Sequence, residues 1–222
     1  MAKNFTSYSS TGAGSMMSFI FRTNYAYDDR YIATFTFRRD GTSTFVKNKW
    51  GSFYSGALAW NAKQESFLEN SRTISTLKLR ASMGEVGNSN VPTAGSFAQL
   101  YNTNTAFGTD VSIGQSPVTL ANENLTWEKT LEYNLGIEFG MWNERLQIDL
   151  DLYNKTTRDL LLEAPVLNIS GYPKAWQNIG SIRNSGIELS LNASLIDTKN
   201  FQWSMTANMT HNKSKILKLG QS

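Results

Sequence analysis

The sequence predicts an all-β protein: about eight antiparallel strands in an up-and-down section of a transmembrane β-barrel, as an open sheet or partial barrel. Three observations carry this. Most of the chain alternates apolar and polar residues with period two, and almost no helical periodicity is present. The strands are long. Crossing roughly 25–30 Å of lipid at a steep tilt takes about 9–11 residues, whereas strands of globular proteins run to about 5–6. Connections also alternate between short turns and longer loops, the habit of a barrel whose two ends differ.

The first strand is expected over about 15–27, with Met17, Phe19, Phe21, Tyr25 and Tyr27 on one face and Ser18, Arg22 and Asn24 on the other. A tight turn at Asp28-Asp29 leads to a second strand over about 30–40. It sets Tyr31, Ala33, Phe35 and Phe37 opposite Arg30, Thr34, Thr36 and Arg38. The third strand covers about 49–61, with Tyr54, Gly56, Leu58 and Trp60 in one row. The polar stretch after it has room for one helical turn near Phe67 and Leu68. A fourth strand over about 76–86 alternates Leu77, Leu79, Ala81 and Met83 with Lys78, Arg80 and Ser82.

A polar loop rich in Gly, Ser, Asn and Thr is expected from Gly87 to about Thr126. Loops of that length are usually functional or mobile. Two regular strands follow across "TLEYNLGIEFGMWNERLQIDLDLYNKT", joined by a short turn at "GMWNE". A second long loop is expected over about 157–175. A seventh strand covers about 177–196, "DTKN" turns the chain, and an eighth begins near Phe201, with "KILKLGQS" as a basic loop-like ending. A one-residue slip would move a whole apolar row to the other face, so the alternation fixes register.

Bulk properties exclude several functions. The 222 residues carry 21 Lys+Arg against 18 Asp+Glu, a net charge of +3 with the basic residues scattered, so no nucleic-acid footprint is expected. There is no cysteine, which excludes disulfides and thiolate metal sites. No apolar run approaches the roughly 18 residues of a membrane helix. The start "MAKNFTSYSS" lacks the apolar stretch of a signal peptide.

Three settings suit such strands: a lipid-embedded wall, a self-contained small barrel of structural or adhesive role, and a soluble carbohydrate-binding sandwich. Aromatics cluster near the short connections (Tyr25, Tyr27, Tyr31, Trp60, Phe139, Trp142, Phe201, Trp203), as a girdle at one membrane interface does. In the lipid setting, Leu131, Leu135, Ile137, Leu146, Ile148, Leu150, Leu189, Leu191 and Met205 face membrane lipid. Arg80, Glu132, Glu138, Asp149, Asp151 and Glu188 face a wet lumen.

No catalytic constellation emerges. His211 is the only histidine, and a triad or metal site would hang on it alone, so it is read as a solvated residue in a loop at a strand end. Asp149 and Asp151 share a face about 7 Å apart, a spacing that suggests a glycosidase pair. Two carboxylates on a wet wall that need no partner are the simpler account. No enzyme activity and no cofactor are expected. Tyr101, Phe107, Tyr172 and Trp176 in the long loops offer surfaces for a ligand or lid partner, or packing between loops.

Several phrases occur in a telling order: "NYAYDDRYIATFTFRRDGTSTF", "KWGSFYSGALAWNAKQESFL", "ISTLKLRASMGEVGN", "ENLTWEKTLEYNLGIEFGMWNERLQIDLDLYNKTTRDLLL", "GYPKAWQNIGSIRNSGIELSLNASLI" and "FQWSMTANMTHNKSKILKL". Together they resemble the SusC/RagA group of TonB-dependent outer-membrane transporters, from about Ser18 to Leu219. Thr44, Val46 and Tyr54 depart from the pattern at loop and turn positions. The resemblance implies a bacterial outer-membrane importer of oligosaccharides or peptides, driven by TonB and lidded by a SusD-like lipoprotein. It further implies that residues 1–222 are barrel only, without plug domain, signal peptide or C-terminal strands, and inactive alone.

Overall fold

The computed structural model describes residues 14–91, 96–97, 100–107, 110–117, 120–172 and 174–220, and over most of 100–117 it describes the backbone alone. The chain's first 13 residues, including the start discussed above, lie outside the described residues. In chain order the strands are β1 (Met16–Tyr27), β2 (Tyr31–Thr42), β3 (Trp50–Asn61), β4 (Ile74–Asn88), β5 (Leu100–Phe107), β6 (Asp110–Pro117), β7 (Glu128–Met141), β8 (Leu146–Arg158), β9 (Leu161–Pro165), β10 (Lys174–Asn178), β11 (Ser181–Asp197) and β12 (Gln202–Lys218). Eight of them form one sheet in the order β1-β2-β3-β4-β7-β8-β11-β12, every neighbouring pair antiparallel. Each strand therefore lies beside the preceding strand of the sheet, the meander that short turns and loops permit.

The sheet is open: β1 and β12 are its edges and are not paired with each other among the described residues. No small barrel closes here. Nor is there a sandwich, because the apolar row stays uncovered, with Leu58 and Leu135 65% and 59% exposed.

The two long loops are only partly loops. Each contains a hairpin, β5–β6 in the first and β9–β10 in the second. The expected seventh strand is split, since Gly180 adopts φ +84° between β10 and β11. The basic ending is strand as far as Lys218, because β11 continues beside it and pairs its backbone. His211 thus sits inside β12 opposite Ile187, and not in a loop. The stretch after β3 holds a single 3-10 turn at Ala62–Gln64, ahead of Phe67 and Leu68.

Short turns place several residues in the left-handed region. Asp28 (φ 52°) and Asp29 (φ 51°) are the central residues of the turn closed by the Arg30 N–H on the Tyr27 carbonyl, between β1 and β2, a conformation that Asp tolerates and that matches the twist of the flanking strands. Trp142, Asn143 and Glu144 (φ 54°, 57° and 64°) make the turn between β7 and β8. That turn is secured by Glu144, whose carboxylate accepts from Thr76 Oγ1 (2.6 Å) and Gln147 Nε2 (3.1 Å) and whose N–H donates to Ser75 Oγ (3.1 Å).

Register shows how the apolar face is set. Tyr31, Trp60, Leu79, Ile137, Leu150, Leu189 and Met209 form one continuous cross-strand row. From this row toward the long-loop end, the apolar run of β2 on that face ends at Arg39, eight residues past Tyr31. On β12 the apolar run ends at His211, two residues past Met209. The band thus slides six residues in six strand steps, about one per step. At about 3.3 Å per residue and 4.8 Å between strands, a level band needs strands tilted by about 35°, the tilt of closed barrels.

The long-loop end carries the main buried cluster: Phe45, Phe53, Val91, Leu125, Trp127 and Leu161, with Trp176 packed against it. These residues come from the β2–β3 loop, β3, the β4–β7 connection, β9 and β10. Trp127 is the hub. It meets Phe45 and Phe53 edge-on at ring distances of 5.9 and 5.6 Å, and its Nε1 donates to the Lys49 carbonyl at 3.3 Å. The Phe53 ring occupies the space a Cβ on Gly87 would take, so only glycine fits there.

Two outcomes are expected. Trp127→Ala should cost the long-loop end about 3–5 kcal/mol, read as faster hydrogen exchange at Phe45, Leu125 and Leu161 while the β7–β8 ladder is unchanged. Glu144 should give a pH signature. The Thr76 hydroxyl, above all, holds its carboxyl below the ordinary 4.5. A depressed folded value stabilises above the unfolded value and is lost as pH falls through the folded one. The stability gap between wild type and Glu144→Gln should therefore be full at neutral pH and close on acidification below 4.5, as measured by thermal unfolding.

Candidate functional site

The polar face of the sheet gathers the charged residues. Registered partners share a face, so Lys78, Glu138, Asp149 and Ser190 lie in one row, and Arg80, Gly136, Asp151 and Glu188 in the next. Glu132 lies further toward the long-loop end, opposite Lys155. The six residues assigned from sequence to a lumen thus do share one face. The nine assigned to lipid share the other: Leu131, Leu135 and Ile137 on β7, Leu146, Ile148 and Leu150 on β8, Leu189 and Leu191 on β11, and Met205 on β12.

The charges are linked. Arg80 Nε lies 2.9 Å from Glu138 Oε1, off the N–H direction, which makes it an ion pair and not a directed hydrogen bond. Arg80 Nη2 donates to Asp151 at 3.2–3.3 Å. Lys78 Nζ is 3.5 Å from Glu138, and Lys155 Nζ is 3.3 Å from Glu132. The expectation that Asp151 needs no partner is therefore wrong, while Asp149 and Glu188 have no cation within ion-pair distance among the described residues.

Arg80 and Asp151 stand on β4 and β8, with β7 between them. They meet because the intervening residue is Gly136. A Cβ there would sit 2.6 Å from Asp151 Oδ1 and 2.9 Å from Arg80 Nη2. The missing side chain is the passage for the ion pair. A sequence reading that looks only at charged residues does not find this position. The spacing of Gly136 between Glu132 and Glu138 is its only sign.

Asp149 and Asp151 face one way, and Asp151 accepts from Arg80 Nη2 at 3.2–3.3 Å. His211 lies on the opposite, apolar face, with Ile187, Leu152 and Leu135 in its row.

The loop candidates separate. Trp176 is half-buried and packs against the buried cluster. Packing explains it, together with the hydrogen bond from Asn122 Nδ2 to its carbonyl (2.9 Å). Tyr172 is half-buried beside Ser170, whose hydroxyl accepts from its N–H at 3.2 Å. The side chains of Tyr101 and Phe107 lie outside what is described, and only their place on β5 is known. The residues overlooked from sequence are Phe45, Leu125 and Trp127, which join the loops. Their isolation in polar stretches gives no periodic signature.

Gly136→Val should sever Arg80 from Asp151. Arg80 and Asp151 are 35% and 26% exposed, so a double-mutant cycle on Arg80→Met and Asp151→Asn should return a coupling of about 0.5–1 kcal/mol, and the same cycle in the Gly136→Val background should return none.

Comparison with known proteins supplies the context for this wall. Residues 3–220 match the family described as TonB dependent receptor-like, beta-barrel. The chain is 40% identical over 205 residues to TonB-dependent receptor P3 of Formosa agariphila, covering 92% of this chain and 20% of that protein. It is 39% identical over 211 residues to TonB-dependent receptor SusC of Bacteroides thetaiotaomicron, covering 92% and 21%. Among solved structures, the RagAB peptide transporter superposes with a TM-score of 0.85 at 32% identity, over 93% of this chain and 23% of that one. A siderophore receptor, PirA of Pseudomonas aeruginosa, superposes with a TM-score of 0.64 at 15% identity and shares the fold alone. The chain spans about a fifth of the length of the curated relatives it matches. Matched over nearly its whole length in sequence and superposed on the same architecture, the chain belongs to the TonB-dependent receptor β-barrel family, in its SusC/RagA group.

Proposed function

We propose that this chain is a section of barrel wall, with its extracellular loops, of an importer in the bacterial outer membrane. The apolar face meets lipid, and the polar face with Arg80, Glu132, Glu138, Asp149, Asp151 and Glu188 lines the lumen. The observation that carries this is the slanted band. An apolar stripe that drifts about one residue per strand is level only for strands tilted as in a closed barrel, and among the described residues no protein layer covers the exposed Leu58 and Leu135.

The rest of the reading follows the relatives. The matched residues supply barrel wall. The intact protein takes up oligosaccharides or peptides, works with TonB, and carries a SusD-like lipoprotein over the long-loop end. Likeness to a structure named a peptide transporter supports the peptide class, and the oligosaccharide class rests on the sequence resemblance alone. The role is transport and not catalysis. Eight strands with two open edges do not enclose a pore, so the chain alone does not import.

The absence of cysteine from this chain makes the test direct. Single substitutions Leu135→Cys, Leu150→Cys, Asp149→Cys and Glu188→Cys are introduced one at a time into this section of the intact importer, reconstituted in lipid vesicles. The first two should react only with a lipid-soluble maleimide, the last two with a charged, water-soluble one. Equal reaction of Leu135→Cys and Asp149→Cys with the water-soluble reagent would sink the proposal.

A further inference from the structure

Past the upper edge of the apolar band, toward the long loops, the same face turns basic on one side of the sheet. Lys129 of β7 is registered with Arg158 of β8. Arg183 of β11 is registered with Thr156 on one side and Lys215 of β12 on the other, and Lys213 follows on β12. Each lies two to six residues beyond the last apolar residue of its strand: Leu131, Leu152, Ile187 or Met209. Long Lys and Arg side chains at such positions cover apolar surface with their stems and present the charge at the boundary.

The contrast with the polar face is in the pairing. There, Lys78, Arg80 and Lys155 each have a carboxylate within 3.5 Å. In the basic group only Lys129 does, with Glu85 at 3.4 Å. Arg183 Nε reaches no anion, only the Thr156 hydroxyl at 3.4 Å. Arg158, Arg183, Lys213 and Lys215 have no carboxylate at ion-pair distance among the described residues. A surface facing plain water mixes signs to limit such self-repulsion. Four cations with no carboxylate partner among the described residues, gathered at one level, suit an anion supplied from outside the chain.

We propose that Arg158, Arg183, Lys213 and Lys215, with Lys129, form a docking strip for the phosphates of membrane lipid headgroups at the long-loop boundary of the apolar band. This rests on the reading that the apolar face meets lipid. Charge complementarity selects the occupant, and position selects its source. The strip follows directly on the band, at the level where headgroups stand over acyl chains. Guanidinium groups take phosphate in a two-point geometry. The strip fixes the height of β8, β11 and β12 in the membrane as the aromatics fix the other end.

The test uses the full chain and its partition between phosphatidylcholine vesicles with and without added phosphatidylglycerol. The wild type should favour the anionic vesicles, the more so at low salt. The triple variant Arg183→Gln/Lys213→Gln/Lys215→Gln should lose that preference by about a hundredfold, taking about fivefold per cation. A control that removes equal charge at the short-turn end, Arg72→Gln/Arg145→Gln/Lys199→Gln, should keep it. Lys215→Gln alone, the milder change, should lose about fivefold. Inorganic phosphate should not compete at concentrations that leave vesicles intact; displacement by it would assign the strip to free anions and overturn the proposal. Equal losses in the two triple variants, or none in the first, would also overturn it. Failure of the underlying lipid reading would show separately, as water-soluble labelling at Leu135→Cys.

Discussion

Everything in this chain depends on one constraint: each backbone N–H and C=O of the wall is to be paired across a continuous antiparallel register. Within lipid there is no water to satisfy such groups, so only helices and closed sheets can cross. Here seven interstrand ladders run through eight strands, with shifts only at a few ladder positions. Once the ladder is set, side chains have no freedom of face. Ile137 cannot point with Glu138, and Leu150 cannot point with Asp149. The two-faced character of the wall is thus a consequence of the hydrogen bonds, written into the sequence as alternation.

The wall has no conventional core, and stability is distributed in two other places. One is the cluster under the long connections, where Trp127 ties together segments distant in sequence and where side chains are buried in depth. The other is the polar face, where ion pairs step from strand to strand. Gly136 shows how closely backbone and charge are coupled there. A residue with no side chain on β7 lets β4 and β8 interact directly. The pairs are partly solvated, so each is worth little singly. Their value is in matching charge on a face that cannot turn away.

Much of the fold was legible because a period of two survives local noise. All eight wall strands, their order and the turns at Asp28 and Trp142 follow from apolar rows and short breaks. What was not legible had weak patterning or an unusual composition. "LYNTNTAF" and "DVSIGQSP" are too polar to read as strands, yet they pair with each other as β5 and β6. Leu161–Pro165 and Lys174–Asn178 are too short to stand out. Lys213–Lys218 reads as a basic tail, but β11 beside it offers a free row of backbone partners, so it is strand. His211 moved from a loop to the apolar face for the same reason.

By itself the sequence determined the class of wall, the face of each strand residue and, through ordered phrases, the family. Those are local or additive properties: alternation acts residue by residue, and resemblance accumulates along the chain. Tertiary structure decided which charges meet, which loop residues are buried and at what slant the band crosses the strands. Arg80 and Asp151 are 71 positions apart, and no local pattern links them. Trp176 stood among the loop aromatics in the sequence, and only the fold packs it, half-buried, against the Trp127 cluster. The slant of the band comes from the offset between strands, a quantity that exists only once they are paired.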